Sequence, residues 1–149
     1  MPSFRIETEI EAPAAVCFDL SRSIDLHLES MVASRERAIG GVTSGLIGAG
    51  EEVTWEARHF GLRWRMTSRI TDFDPPHRFV DEMVRGPFAS YRHEHVFDEV
   101  GDGTRMTDVV EVRMGLGPLG PVLSLVAKAY LRHLLVTRND VIRTRAEAG

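Results

Sequence analysis

A single cysteine, Cys17, in 149 residues leaves no partner for an intrachain disulfide and cannot furnish a multi-cysteine zinc site. It fits a reducing compartment, with the cytoplasm as the default expectation. No apolar signal core opens the chain: MPSFRIETEIEAP alternates charged and apolar residues instead. No clean membrane span appears either. The longest apolar stretch, Leu116 through Leu131, is interrupted by Gly117, Pro118, Gly120, Pro121 and Lys128, so stable membrane insertion is not expected. Positive charge is also in deficit, at a formal net charge of -4, which argues against a general nucleic-acid-binding surface. The glycines fall in turn contexts rather than in a strand-to-helix phosphate loop, so nucleotide binding has no support and no cofactor is expected. There is no internal repeat and no linker. With 43% hydrophobic and 27% charged residues, one domain spanning residues 1–149 with a substantial core is expected. Composition does not fix an oligomeric state.

What is present is alternation. Phe4, Ile6, Thr8 and Ile10 alternate with charged neighbours as an opening strand. Pro13–Leu20 and Ser23–Val32 read as two short helices, with Ser21 or Ser23 as a cap and Ile24 and Leu28 in the apolar stripe. Residues 37–47 are glycine-rich and weakly patterned. Strands follow over Glu52–Phe60, with Val53, Trp55, Ala57 and His59 inward, and from Leu62, with Trp64, Met66, Ser68 and Ile70 inward. Gly61 marks the turn between them. The opposite face carries Arg63, Arg65 and Arg69, expected to pair across strands with Glu52 and Glu56 on a solvated surface. From Pro118 to about Arg145, Leu119, Val122, Leu123, Val126, Tyr130, Leu134 and Val141 follow helical spacing. GLGPLGP reads as the hinge into that helix.

The most informative stretch is DEMVRGPFASYRHEHVFDEVGDGTRMTDVVEVRM, Asp81–Met114, where strand alternation puts polar groups on the side that should be dry. Tyr91, His93, His95 and Phe97 share one face. Beyond the turn at Gly101–Gly103, so do Met106, Asp108, Val110, Val112 and Met114. A carboxylate in such a row costs several kcal/mol unless it is partnered or wet. Pairing Phe97 with Thr104 sets His93 opposite Asp108, and pairing Arg85 with Ala89 sets Asp81 opposite His93. The expectation is an inward Asp81, His93, Asp108 network. A slip of two residues keeps the face and changes the partners.

Four readings of these residues compete, one of them a purely structural network that never meets a ligand. Two histidines two apart on a strand, with Asp108, Asp81 or His59 as a third ligand, could hold a metal, although neutral imidazoles held by carboxylates explain the residues without an ion, and no metal is expected. A histidine oriented by an aspartate could move a proton on a carbonyl substrate, with His93 and Asp108 as the catalytic pair. The favoured reading takes the polar groups as anchors for a mostly apolar ligand. Its expected contacts are Trp55, His59, Trp64, Met66, Ser68, Asp81, Met83, Tyr91, His93, His95, Met106, Asp108, Val110, Val126 and Tyr130. Cys17 reads as a packed side chain, not a nucleophile.

The order of a strand, two short helices, about six antiparallel strands and a long amphipathic helix resembles the START and Bet v 1-like (SRPBCC) superfamily. The segments IEAPAAVCFDLSRSIDLH, VRGPF, YRHEHVF, GTRMTDVVEV and GLGPLG resemble its polyketide cyclase/dehydrase-like bacterial members, in particular a subgroup labelled cell-division-inhibitor-like. The resemblance covers nearly the whole chain. It implies an α+β helix-grip fold, a curved antiparallel sheet of about seven strands around a C-terminal helix. It implies binding of lipids, polyketides, hormones or other apolar small molecules between sheet and helix, with cyclisation or dehydration in a minority of members. Where the subgroup often has tryptophan after GPF, this chain has Tyr91, which adds a hydroxyl to the cavity wall.

Overall fold

The computed structural model describes residues 3–149. Strand β1 (Ser3–Ile10) leads through helices α1 (Ala14–Ser21) and α2 (Ile24–Ser30) and a 3-10 turn (Val32–Ser34) into strands β2 (Arg37–Gly41), β3 (Glu52–His59), β4 (Leu62–Asp74), β5 (Arg78–Arg85), β6 (Ser90–Val100) and β7 (Gly103–Arg113). A second 3-10 turn (Gly117–Leu119) opens the long helix α3 (Gly120–Glu147). The seven strands form one antiparallel sheet in the order β1-β7-β6-β5-β4-β3-β2. Because β1 and β2 lie at opposite edges, the α1–α2 segment must cross the width of the sheet. This is the α+β helix-grip architecture.

Local chemistry explains the element ends. Pro13, extended at ψ 150°, precedes α1, where its missing N–H costs nothing. Ser23 caps α2 by accepting the Leu26 amide at 3.1 Å. The β3–β4 hairpin turns through Phe60 and Gly61, both at positive φ (54° and 74°), the twist that a two-residue hairpin requires. Register shifts between Thr67 and Ser68 and between Ile70 and Asp72 bend β4 against β5, and such bulges curl a sheet. Met114 N–H donates to Ser124 Oγ at 3.0 Å, tying the end of β7 to the start of α3.

The outer surface of β3 and β4 follows the expected pairing. Glu56 faces Arg65 and Glu52 faces Arg69. Arg65 Nε donates to Glu56 at 2.9 Å, Arg37 adds a 2.6 Å contact to the same carboxylate, and Arg69 binds Glu52.

Apolar packing divides into two regions. Phe18 of α1 sits against Phe73, Phe79 and Phe97 at centroid distances of 5.5, 5.3 and 5.4 Å. Nearer β1, Phe4, Ile6, Tyr91, Val110, Val112 and Leu135 form a second cluster. In β6 and β7, His93, His95 and Asp108 occupy the strand positions between the two.

Helix α3 differs from its sequence reading in which residues it buries. Leu119, Val122 and Val126, expected within the apolar stripe, are exposed, whereas Ser124, Leu135, Arg138, Asn139, Ile142 and Ala146 are buried. The spacing is helical in both sets. The first half of α3 stands over the cavity and offers it only one narrow row, while the second half packs into the core. Length and composition alone would let the helix cross a bilayer, but it is the grip helix of this fold, and its second half lies against β1 and α1.

Candidate functional site

Asp108 is the centre of the inward polar network and is wholly buried. The register corrects the sequence expectation by two residues: Asp108 faces His95, not His93, and Met106 faces Phe97. Asp81 does face His93. The two-residue slip leaves every inward residue inward, and the hydrogen bonds run diagonally between strands. His93 Nε2 lies 2.7 Å from Asp108 Oδ1, and His95 Nε2 lies 2.7 Å from Asp81 Oδ2. The two imidazoles stack at 3.6 Å, and Phe79 stacks on His95 at 3.9 Å.

The helix supplies the rest. Arg138 Nη1 donates to Asp108 Oδ1 at 3.2 Å, and Asn139 Nδ2 donates to Asp108 Oδ2 at 2.8 Å and to Thr8 Oγ1 at 3.2 Å. Arg138 also donates to Asn139 Oδ1 at 3.1 Å and through Nη2 to His95 Nδ1 at 3.4 Å. Sequence reasoning missed Arg138 and Asn139. A signal was there: Arg138 interrupts the row Leu131, Leu135, Ile142, Ala146, the helical counterpart of Asp108 interrupting a strand face.

These contacts fix proton positions. Ionised Asp108 only accepts, so His93 donates from Nε2; Arg138 only donates, so His95 accepts at Nδ1 and donates from Nε2 to Asp81. His95, accepting at one ring nitrogen and donating from the other, is neutral in this arrangement. Burial, reinforced by neighbouring His93, pushes His95 down to about 4 despite its hydrogen bond to Asp81. Burial raises the Asp108 carboxyl, but the His93 hydrogen bond and the Arg138 charge outweigh it and hold the group well below the usual carboxylate range. Asp81 behaves likewise, with burial opposed by the His95 hydrogen bond and by His93, His95 and Arg138, for a net lowering.

Asp81, His93 and His95 also offer one ligand atom each within 4.8 Å of one another, the spacing of a three-point metal site. A cation there would have to break the His95–Asp81 bond and lie beside the Arg138 guanidinium. The hydrogen-bond network accounts for the same atoms.

Above the network lies a cavity of about 330 Å³ between the sheet, α2 and α3. Of the residues expected at the ligand, Trp55, His59, Trp64, Met66, Ser68, Asp81, Tyr91, His93, His95 and Tyr130 lie on its wall. Five others lie elsewhere. Met106 and Val110 are fully buried in the packing, Met106 accepting a 3.4 Å contact from the Ser21 hydroxyl. Asp108 is sealed beneath His93, Arg138 and Asn139. Met83 packs beside Met66 and the Gly86 backbone. Val126 points outward, 53% exposed. In their place α3 contributes Leu123, Ala127, Leu131 and Leu134, which no strand pattern could reveal. At the far end of the wall, His27 stacks on Trp55 at 4.1 Å and binds Glu36 at 2.7 Å.

The β3–β4 hairpin is fastened to α3 across the cavity. His59 Nδ1 and Tyr130 Oη lie 2.6 Å apart, Phe60 packs on the Tyr130 ring at 4.8 Å, and Trp64 Nε1 donates to the His59 carbonyl at 2.9 Å. Burial lowers the His59 pKa, favouring the neutral ring that a tyrosine hydroxyl can bond.

The sequence pattern of the family described as "Polyketide cyclase / dehydrase and lipid transport" matches residues 1–147. No curated protein sequence matches the chain. Among solved structures, the fold is similar to that of TTHA0849 from Thermus thermophilus, with a TM-score of 0.79 at 19% identity, covering 99% of this chain and 98% of that one. It is also similar to a START superfamily protein from Mycobacterium smegmatis (TM-score 0.72, 13% identity, 98% and 97% covered). Ginseng major latex-like protein 151 from Panax ginseng follows at TM-score 0.70 and 17% identity, with 97% of each chain covered.

Proposed function

The chain belongs to the polyketide cyclase/dehydrase and lipid-transport family, and on that premise we propose that it binds a small hydrophobic or aromatic molecule, lipid-like or polyketide-like, between the sheet and α3. One observation carries the reading: a cavity of about 330 Å³ has a mostly apolar wall into which polar side chains, among them Asp81, His93, His95 and Ser68, are set, the composition of small-molecule sites in general. An ordinary core would close that space, since interiors pack to near-crystalline density. Cys17, free and buried, suits a reducing compartment, and we assign the binding to the cytoplasm.

Native mass spectrometry of the purified protein, followed by denaturing extraction, tests the reading. A defined apolar organic molecule should be released, and apolar probes should quench Trp55 and Trp64, the chain's two tryptophans, both on the wall. A clean apo mass with no quenching by an apolar ligand library would remove the proposal.

A catalytic reading, cyclase or dehydratase in type, is favoured by one feature. His93 lies on the wall with its Nε2 oriented by Asp108, while its Nδ1 makes no hydrogen bond among the described residues; the nearest carboxylate oxygen, Asp81 Oδ2, is 3.9 Å away. A base held in one tautomer with its other nitrogen free is what proton abstraction next to a carbonyl needs. The substitution His93→Gln separates the readings. An enzyme loses turnover while retaining ligand affinity, and a carrier has no turnover to lose.

A further inference from the structure

Two acceptors and one hydroxyl are left free on the cavity wall. Asp81 spends Oδ2 on His95, and its Oδ1 has no hydrogen bond among the described residues. His93 spends Nε2 as a donor to Asp108, and in the neutral ring its Nδ1, which makes no hydrogen bond among the described residues, is then a lone-pair acceptor. Ser68 is 4% exposed, lies on the wall, and its buried Oγ has no partner among the described residues. Buried hydroxyls are rarely left so, and an unanswered one in a cavity wall points to a group that arrives with the ligand. The three side chains come from β4, β5 and β6, neighbouring strands of the same inner face.

Cations are absent from this set. Two arginines reach the wall, and both are committed. Arg138 is held by Asp108, Asn139 and His95. Arg22 donates to Asp19 at 2.9 Å and to the Ile47 carbonyl at 3.1 Å, with its guanidinium over the Phe18 and Phe73 rings. The wall's acids are Asp81 and Glu36. At this end of the cavity a ligand carboxylate would face the Asp81 carboxylate, with no free arginine or lysine among the described residues of the wall to meet it.

We propose that this end of the cavity is a polar subsite of two acceptors, Asp81 Oδ1 and His93 Nδ1, and one hydroxyl, Ser68 Oγ, and that its ligand is an apolar molecule ending in a hydroxyl or phenol rather than a carboxylate. The inference rests on the cavity-binding reading above and adds the chemistry of the ligand's polar end. A hydroxyl donates its one proton to Asp81 Oδ1 or to His93 Nδ1, and its oxygen accepts from the Ser68 hydroxyl, so one neutral group answers an acceptor and a donor together. An ether of the same shape cannot donate. A carboxylate can only accept, and repels Asp81.

Three probes with one apolar body test this: 4-octylphenol, 4-octylanisole and 4-octylbenzoate, each titrated at pH 7 against the fluorescence of Trp55 and Trp64. The phenol is expected to bind at least tenfold more tightly than the methyl ether, and the benzoate at least tenfold more weakly than the phenol. In Asp81→Asn, whose amide still accepts from His95 and now donates, the benzoate should regain several-fold while the ether is unchanged. An ether that binds as tightly as the phenol, or a benzoate that binds more tightly, overturns the subsite and leaves the cavity reading standing. Uptake of none of the three overturns both. The wild-type comparison needs no variant to fold.

Discussion

Two carboxylates on opposite faces of the same sheet, Glu56 on β3 and Asp108 on β7, both answer arginines, and they do so under opposite conditions. Glu56 is only 6% exposed, but what covers it is Arg37, Arg63 and Arg65, side chains that are themselves 59–68% exposed. The guanidinium groups that cover Glu56 stand in water, so the charges of the cluster remain screened. Asp108 is 0% exposed, and every group around it is fixed by packing: His93, Arg138 and Asn139. Residue identities alone would rank the two ion pairs alike. Solvent access separates them, because a buried pair broken on one side leaves a charge with nothing to solvate it.

The sharpest way to break the comparison is to remove each acid in turn. Asp108→Ala should cost about 3–5 kcal/mol in a urea titration, since it strands Arg138 and the His93 N–H in the interior. A cost near zero would mean that water enters the network freely and that its burial has no energetic meaning.

Acid should find the same difference without mutation. His95, lowered to about 4 from an ordinary 6.5, takes up its proton more readily in the unfolded chain, so stability is complete above pH 6.5 and falls as the pH drops from 6.5 to 4. The full window corresponds to about 3 kcal/mol at 1.4 kcal/mol per pH unit. Below it, protonation of Asp81 and Asp108, whose carboxyls are held low in the fold, continues in the same direction. His95→Gln should flatten the upper part of that profile. An unchanged slope between pH 6.5 and 4 would show that His95 does not titrate with folding.

A smaller effect is expected from Asn139→Ala, which removes the amide that spans Asp108 and Thr8 but leaves Arg138 in place. The expected loss is about 1–3 kcal/mol, the cost of one unsatisfied buried partner. The smallest belongs to Glu56→Gln, where the melting temperature should stay within experimental error and any residual difference should vanish in 0.5 M salt. A large, salt-insensitive loss at Glu56 would erase the contrast with Asp108.

Much of this contrast was legible in the chain. Alternation put Asp81, His93, His95 and Asp108 on one face and Arg63, Arg65 and Arg69 on the other, opposite Glu52 and Glu56 across a hairpin turning at Gly61, and the structure resolves these into the pairs Glu56–Arg65 and Glu52–Arg69. The longer hairpin was misread by two residues because its turn takes only Gly101 and Asp102, with Val100 pairing Gly103. Nothing in the alternation distinguishes a register from one shifted by two.

Which side of each strand a residue occupies was therefore set by the sequence itself, because a period of two is a property of the local backbone and needs no partner to exist. Tertiary structure decided the rest. Arg138 and Asn139 meet Asp108 only because α3 docks with that face inward, and Val122 and Val126 lie outside for the same reason. The space of about 330 Å³ depends on how far the helix stands from a sheet curled by its bulges, a distance set by the packing of all elements together.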